Sequence, residues 1–163
     1  MSDRKEFRDL TEPAKAHDAI ASLDLEPGPE TVPLEDARGR ILAERVDADL
    51  DVPGFDRASM DGYALRASDT FGADEADPAI LELVGEVHAG SEPDVYVGDG
   101  ECAEISTGAV MPDGADAVVM VEKTDEVGSE GEAIEIRTSV APGNSVMPAG
   151  ADIAAGQRAL GPG

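Results

Sequence analysis

The feature that most constrains this chain is a series of short apolar runs between residues 49 and 143, separated by Gly, Pro and Asp residues. This spacing is typical of a β-rich domain, because each run is long enough for a strand and each break supplies turn residues. The runs predict strands at 62–66, 80–88, 101–106, 116–122 and 133–139.

The segments on either side have a different pattern. Residues 7–23 carry apolar side chains about 3.6 residues apart, which predicts an amphipathic helix. Residues 31–33 and 40–46 read as short strands, so the chain up to about residue 48 is predicted to be a small unit of helix and strand. After residue 143 the β-rich pattern ends, and the apolar residues before Gly163 have no later element to cover them. That ending predicts a truncated chain.

The chain is strongly acidic, with 36 Asp and Glu against 12 Lys and Arg and a net charge of −24 over 163 residues. Nucleic-acid binding needs basic patches, so no nucleic-acid partner is predicted. The acid is spread along the whole sequence, which predicts a salt-adapted, halophile-like surface. No apolar run approaches the roughly 18 residues of a membrane span, and the N-terminus lacks an apolar signal segment. We therefore predict no membrane partner and a cytoplasmic location.

The single cysteine, Cys102, excludes an internal disulfide and is predicted to be a half-buried strand residue. Two catalytic templates are excluded by motif. No G-x-S-x-G elbow is present for a Ser-His-Asp triad, and no G-x-G-x-x-G is present for a dinucleotide fold.

The densest local motif is PGFDRASMDGYA, residues 53–64, which places turn formers directly before a predicted strand. Asp56 and Ser59 are residue types that bond backbone groups, and Asp61-Gly62 is predicted to form a tight turn. Such a turn displays the Asp61 carboxylate at a loop tip, where it is suited to hold a metal ion or to move a proton. Asp-Gly pairs also occur for the turn alone, so both interpretations stay open.

Two further segments place polar residues at turns: ISTGAVMPDGADAVVMVE, residues 105–122, and AGADIAAG, residues 149–156. Ser106 and Thr107 offer hydroxyl and backbone donors suited to an anionic group, although a Ser-Thr-Gly turn also serves simply to close a strand. The segment lacks a Walker lysine and is not a nucleotide P-loop. Asp152, bracketed by glycines, is either a turn residue or a cleft residue.

In this order, the three segments closely resemble the N-terminal region of molybdopterin molybdenumtransferases and of the gephyrin E domain. The PGFD...MDGYA segment is the most specific mark of that family, and ISTGAVMPDGADAVV resembles its second block. Residues 33–53 and 143–157 also match, so the resemblance covers roughly residues 7–160.

The resemblance implies an α+β fold with two lobes. Domain I is a small α+β domain made of residues 1–48 and 144–163, and domain II, residues 49–143, is a β-rich, β-barrel-like insertion into it. It also implies homodimers in which domain II faces later domains of the partner subunit across a cleft. Molybdopterin adenylyltransferase is a possible further partner.

The implied reaction inserts molybdenum from molybdate into adenylylated molybdopterin, with release of AMP and with the help of magnesium. If the roles of matching positions in the family are transferred to this sequence, the resemblance implies that Asp61 and Thr107 are catalytic residues. It likewise implies that the substrate-binding residues are Ser59, Ser106, Asp152 and Arg57. No metal ligand is assigned to this chain, because Mg²⁺ is expected to bind mainly in a domain that these residues do not include.

The sequence departs from the family pattern in three places. Arg57 replaces the usual Asn of the first motif, and Met147-Pro148-Ala149 replaces an arginine-rich run. The third domain, which resembles molybdopterin adenylyltransferase, would lie beyond Gly163 or be absent. The resemblance therefore predicts an enzyme fragment that is inactive alone. The alternative is a non-catalytic dimerisation or scaffold member of the same family; an unrelated carbohydrate-binding module is disfavoured because aromatic residues are scarce.

Overall fold

The computed structural model describes residues 11–25, 27–128 and 132–163. It divides into two compact units, residues 1–43 with Gly163 and residues 44–162. Across the described ranges it is mostly β-sheet with one α-helix, α1, Pro13–Ala21.

The unit of residues 1–43 is built from α1 and a 3-10 turn, Leu34–Asp36. The helix is shorter than the predicted 7–23, of which residues 7–10 lie outside the described part of the chain. None of its residues is buried. Residues 31–33 form no strand, and of the predicted strand 40–46 only Val46 lies in one, so the prediction was wrong for all but that residue. A strand needs a hydrogen-bonding neighbour, and an apolar pattern in the sequence does not show whether one is present.

The unit of residues 44–162 contains all the described strands. Their bounds are β1 Val46–Asp47, β2 Arg57–Ala58, β3 Gly62–Leu65, β4 Ala79–Val87, β5 Glu101–Ile105, β6 Ala117–Met120, β7 Thr124–Val127, β8 Ala133–Ile136, β9 Val146–Met147 and β10 Arg158–Leu160. Six of them form one sheet in the order β6-β3-β5-β4-β8-β7, while β1 pairs with β10 and β2 with β9. Within the sheet, β4 and β5 run parallel and the other neighbours run antiparallel.

The sheet is covered on both faces. Alternate residues of β3 point to opposite sides, so Tyr63 and Leu65 join one apolar cluster while Ala64 joins another. The first cluster includes Cys102, whose exposure is 0%. Burial raises the pKa of Cys102 to about 12. The cysteine is therefore on a strand, as predicted, but fully rather than half buried.

Gly62 serves a purpose that the sequence did not reveal. It is the first residue of β3 and not part of a left-handed turn, so the predicted tight Asp61-Gly62 turn was wrong. A Cβ at this position would overlap the carbonyl group of Val119 on β6. Glycine is needed because the two strand backbones approach closely.

The segment after residue 143 joins the unit of residues 44–162 through three pairings. They are β2 with β9, Val52 with Ile153, and β1 with β10. The predicted division into 1–48, 49–143 and 144–163 stays a prediction. In the described residues, 44–48 does meet the end of the chain through the β1–β10 ladder, whereas the compact unit of 1–43 is grouped separately.

Candidate functional site

The best-defined polar arrangement is the pair of Asp61 and Thr107. Asp61 immediately precedes β3 and Thr107 follows β5 by two residues. Because Gly62 is opposite Ile105 in the antiparallel ladder, the start of β3 and the end of β5 lie side by side. Asp61 Oδ1 accepts hydrogen bonds from the Thr107 backbone N–H and from Thr107 Oγ1, both at 2.7 Å. The structure thus brings together the two residues predicted to be catalytic.

These two hydrogen bonds set the charge state of Asp61. The bond from the Thr107 hydroxyl, and after it the bond from the Thr107 N–H, favour the ionised carboxylate and lower the pKa of Asp61. Both residues are exposed. At neutral pH Asp61 is therefore an oriented carboxylate that can accept a proton or a cation but has no proton to donate. Its Oδ2 makes no hydrogen bond within the described part of the chain.

Thr107 is held in place by a tight turn. The Ser106 carbonyl accepts a hydrogen bond from Ala109 N–H at 3.0 Å, and Gly108 adopts a φ of 83°. That left-handed conformation favours glycine, which explains the Ser-Thr-Gly sequence locally. Ser106 itself donates its N–H to the Val87 carbonyl, at 3.1 Å. Its demonstrated contacts anchor the turn to β4.

Arg57 and Ser59 lie on the segment that leads to Asp61. The Ser59 N–H donates to the Ser145 carbonyl at 2.9 Å. The Arg57 guanidinium places Nη2 3.1 Å from the thioether sulfur of Met147. On the other side, Gly108 N–H donates to the Ala58 carbonyl at 2.8 Å, so this segment is bonded directly to the turn that carries Thr107.

Asp152 is not brought into the Asp61–Thr107 pair. It is exposed, and its N–H donates to the Val52 carbonyl at 2.9 Å. The carboxylates that organise its surroundings are Asp51, which accepts from Ala155 N–H, and Asp56, which accepts from Ala149 N–H, each at 2.8 Å. Sequence reasoning expected Asp56 to bond backbone groups but missed Asp51, because its partner lies 104 positions away.

The described residues do not fit a magnesium site on their own. Among them, no group of three or more His, Cys, Asp or Glu side chains is placed to hold a metal ion. Asp61 is a single carboxylate, whereas Mg²⁺ requires near-octahedral coordination by oxygen and usually takes one or two carboxylates together with substrate phosphates. No helix in the described ranges is long and apolar enough to cross a membrane.

Residues 11–163 match the sequence family described as "MoeA N-terminal region (domain I and II)". The chain is 41% identical over 141 residues to a molybdopterin molybdenumtransferase of Nostoc sp., covering 86% of this chain and 32% of that protein. It is 38% identical over 124 residues to the Bacillus subtilis protein of the same name, covering 76% of this chain and 29% of the relative.

A solved structure is also similar: the molybdopterin biosynthesis MoeA protein from Pyrococcus horikoshii, at a TM-score of 0.73 and 45% sequence identity. The match covers 92% of this chain and 38% of that one. The chain thus spans about a third of the length of the curated relatives it matches.

Proposed function

The chain belongs to the MoeA N-terminal family, and from this premise we propose that it forms one wall of a molybdopterin molybdenumtransferase active site. The proposed reaction inserts molybdenum from molybdate into adenylylated molybdopterin and releases AMP. The relatives that carry this name are about three times as long as the matched region, so the remaining contacts would come from further domains. Magnesium would be held mainly there.

The observation that carries the proposal is the hydrogen-bonded pair of Asp61 and Thr107. Asp61 is ionised and oriented before substrate arrives, so it requires little reorganisation when positive charge or a proton develops nearby. In the proposed role its free oxygen, Oδ2, accepts that charge or proton. Thr107 positions the carboxylate through its backbone and side-chain donors.

The proposal also includes the surroundings of this wall. A homodimer would bring later domains of a second subunit opposite Asp61, and molybdopterin adenylyltransferase would deliver the adenylylated substrate in the cytoplasm. Without those domains an exposed carboxylate and hydroxyl cannot exclude water or surround the adenylyl phosphate. The 163-residue chain alone is therefore expected to be inactive.

One observation favours the second candidate, a non-catalytic dimerisation or scaffold module. The unit of residues 1–43 leaves apolar side chains open to solvent in this chain, including Leu34 at 89% exposure and Ile41 at 80%. Exposed apolar groups mark protein contacts where they form a contiguous patch. Such contacts serve an enzyme dimer equally well, so turnover has to discriminate between the two functions.

The test is Asp61→Asn in the full-length protein that contains this chain, measured as molybdenum-dependent release of AMP from adenylylated molybdopterin. The amide keeps the volume but removes the charge, so turnover should fall by about a hundredfold or more. The thermal midpoint should change little, since Asp61 is exposed.

Asp74→Asn is a matched control. Asp74 also accepts two backbone hydrogen bonds, from Ala76 and Asp77, and its pKa is lowered by them. It precedes β4, which runs parallel to β5, so it lies at the opposite end of the sheet from Asp61. Wild-type turnover is expected for this control. Equal turnover by both variants would reject the catalytic role of Asp61, whereas absence of turnover by the wild-type full-length protein would favour the scaffold function.

A further inference from the structure

We infer that the dipeptide Asn144-Ser145 positions the proposed catalytic carboxylate of Asp61. Asn144 holds β6, Ser145 holds the segment that leads into Asp61, and together they fix where that carboxylate lies. The inference rests on the proposed function only for the role of Asp61. The two are positioning residues, since they act through the backbone of β6 and of the segment before β3.

Asp61 lies on a short connecting segment, the corner 59–61, between β2 and β3. Two hydrogen bonds hold the backbone of this corner. At its start the Ser59 N–H donates to the Ser145 carbonyl at 2.9 Å, and at its end the Asp61 carbonyl accepts from Val121 N–H at 3.2 Å. Because one residue separates the two bonded positions, the backbone of Asp61 lies where Ser145 and Val121 place it.

The second of these anchors depends on β6, the edge strand that Val121 directly follows. Within β6, Val118 is fully buried. Its N–H donates to the Asn144 carbonyl at 2.9 Å, and its carbonyl accepts from Asn144 Nδ2 at 2.8 Å. One asparagine thus bonds both backbone groups of Val118, as a neighbouring strand would. A buried carbonyl that loses its donor is costly, so the position of β6 is coupled to that of Asn144.

Ser145 has a backbone conformation that its residue type disfavours. Its φ is 53°, the one left-handed value outside glycine in the part of the chain that the structure describes. It is the third residue of a four-residue turn that is closed by a hydrogen bond from Val146 N–H to the Gly143 carbonyl, at 3.2 Å. That position of a type II turn requires a positive φ and usually carries glycine or asparagine. The bond to Ser59 and the pairing of Val146 with Ala58 hold this strained residue on both sides, as is typical of residues that fix a functional site.

The position of the corner matters because of the two bonds between Asp61 and Thr107. Asp61 Oδ1 accepts from the Thr107 N–H and Oγ1 at 2.7 Å each, and bonds of this length weaken steeply when the partners move apart. Thr107 is carried by the turn after β5 and Asp61 by the corner, so the bonds form only when both supports are in place. A displaced corner would lengthen both bonds, and the pKa of Asp61, which they lower, would return toward its ordinary value.

The experiment uses two substitutions of Ser145 that separate its backbone conformation from its hydroxyl. Ser145→Thr keeps the hydroxyl, but a β-branched side chain opposes a positive φ. Ser145→Gly removes the hydroxyl, which accepts from Asn144 Nδ2 at 3.2 Å, but adopts that φ without strain. Because positioning acts through the backbone, the threonine substitution should be the damaging change and the glycine substitution the harmless one. A role of the hydroxyl itself would reverse this order.

The first readout is the protonation of Asp61, followed in the 163-residue chain through the backbone amide NMR shift of Thr107 as the pH is lowered. In the wild type this step should occur below the usual pH range of a carboxyl group. Ser145→Thr should move it to higher pH, and Ser145→Gly should leave it unchanged. Asn144→Ala should also move it to higher pH, since it removes the amide donor to β6. The control is Ser91→Thr, the same change at an exposed residue without a positive φ, which should have no effect.

The second readout is turnover of the full-length protein, measured well below its melting midpoint. Ser145→Thr should lower kcat by about tenfold or more and change KM by less than about twofold, because misplacing a reacting group costs rate more than binding. Ser145→Gly should keep both within about twofold of wild type.

The inference is overturned if Ser145→Gly is the more damaging change, or if Ser145→Thr leaves both the protonation step and kcat at their wild-type values. Should Ser145→Thr fail to fold, Asn144→Ala decides, and an unchanged protonation step in that variant would overturn the inference. Wild-type turnover by Asp61→Asn would reject the proposed function, whereas the NMR readout would still test the positioning. The two proposals can therefore fail separately.

Discussion

The two compact units of this chain differ in what they bury. Residues 44–162 enclose Leu65, Ile105, Ile134 and Ile136 at 1% exposure or less, on both faces of a six-stranded sheet. In residues 1–43 the helix buries nothing, and Leu34 is 89% exposed. A helix of nine residues is marginal in water by itself. An apolar pattern therefore shows which face needs covering, but not whether a given stretch of chain covers it.

This difference predicts that equivalent substitutions have unequal effects in the two units. Matched residues, one from each unit, test it from the largest expected effect to the smallest.

The glycine pair Gly62 and Gly28 should give the largest contrast. Alanine at 62 forces a methyl group into the Val119 carbonyl, so the backbones of β3 and the edge strand β6 must move apart. We expect Gly62→Ala to lower the free energy of unfolding by about 4 kcal/mol or more. A Cβ added at Gly28 would meet no atom within 4 Å, and the φ of Gly28 is not left-handed, so Gly28→Ala should be neutral.

Urea unfolding followed by circular dichroism measures both variants. A cooperative transition of Gly62→Ala at the wild-type midpoint would show that β3 and β6 can separate at no cost, which contradicts the close approach described above.

The apolar pair Ile134 and Leu34 should give the next contrast. Ile134 is fully buried in β8, so Ile134→Ala removes apolar contacts and leaves a cavity, at a cost of about 3 kcal/mol. Leu34→Ala truncates a side chain that is 89% exposed and should change stability by less than about 0.5 kcal/mol. Thermal melts of the two variants test this. A loss for Leu34→Ala close to that of Ile134→Ala would mean that residue 34 has a packing partner in solution.

Salt should have the smallest effect. With a net charge of −24, the folded chain repels itself at low ionic strength, and molar KCl screens that repulsion. We expect the melting midpoint of the sheet unit to rise by roughly 4 °C, equivalent to about 1 kcal/mol, between 50 mM and molar KCl. NaCl should act equally, since screening depends on ionic strength. A midpoint that stays flat or falls would show that the acidic surface does not oppose folding.

The strand pattern shows how much of the fold could be predicted from local sequence. The five predicted strands correspond to β3, β4, β5, β6 and β8, each within three residues at either end. The edge strand β7, Thr124–Val127, was missed because its two acidic residues are exposed and give no apolar alternation. The two-residue strands were also missed, since segments so short are defined only by their partners.

The candidate site likewise has a part that local sequence predicted and a part that it did not. Local sequence identified Asp61 and Thr107 as candidate functional residues. The hydrogen bond between them spans 46 positions and follows from the β3–β5 register. The resemblance grouped Asp152 with them, whereas its described contact is with Val52. The orientation of Arg57 depends on Met147, 90 positions away, for which no local signal exists.

By itself the sequence determined the strands with alternating or continuous apolar residues, the acidic surface and the motifs that mark the family, because these depend on composition and near neighbours. Tertiary structure decided what each polar group faces. The partner of Asp61, the close backbone approach that requires Gly62 and the contact of Arg57 with Met147 all come from segments distant in sequence. Hydrogen bonds and steric overlap act over a few ångströms in space, so they remain unknown until the sheet register brings those strands together.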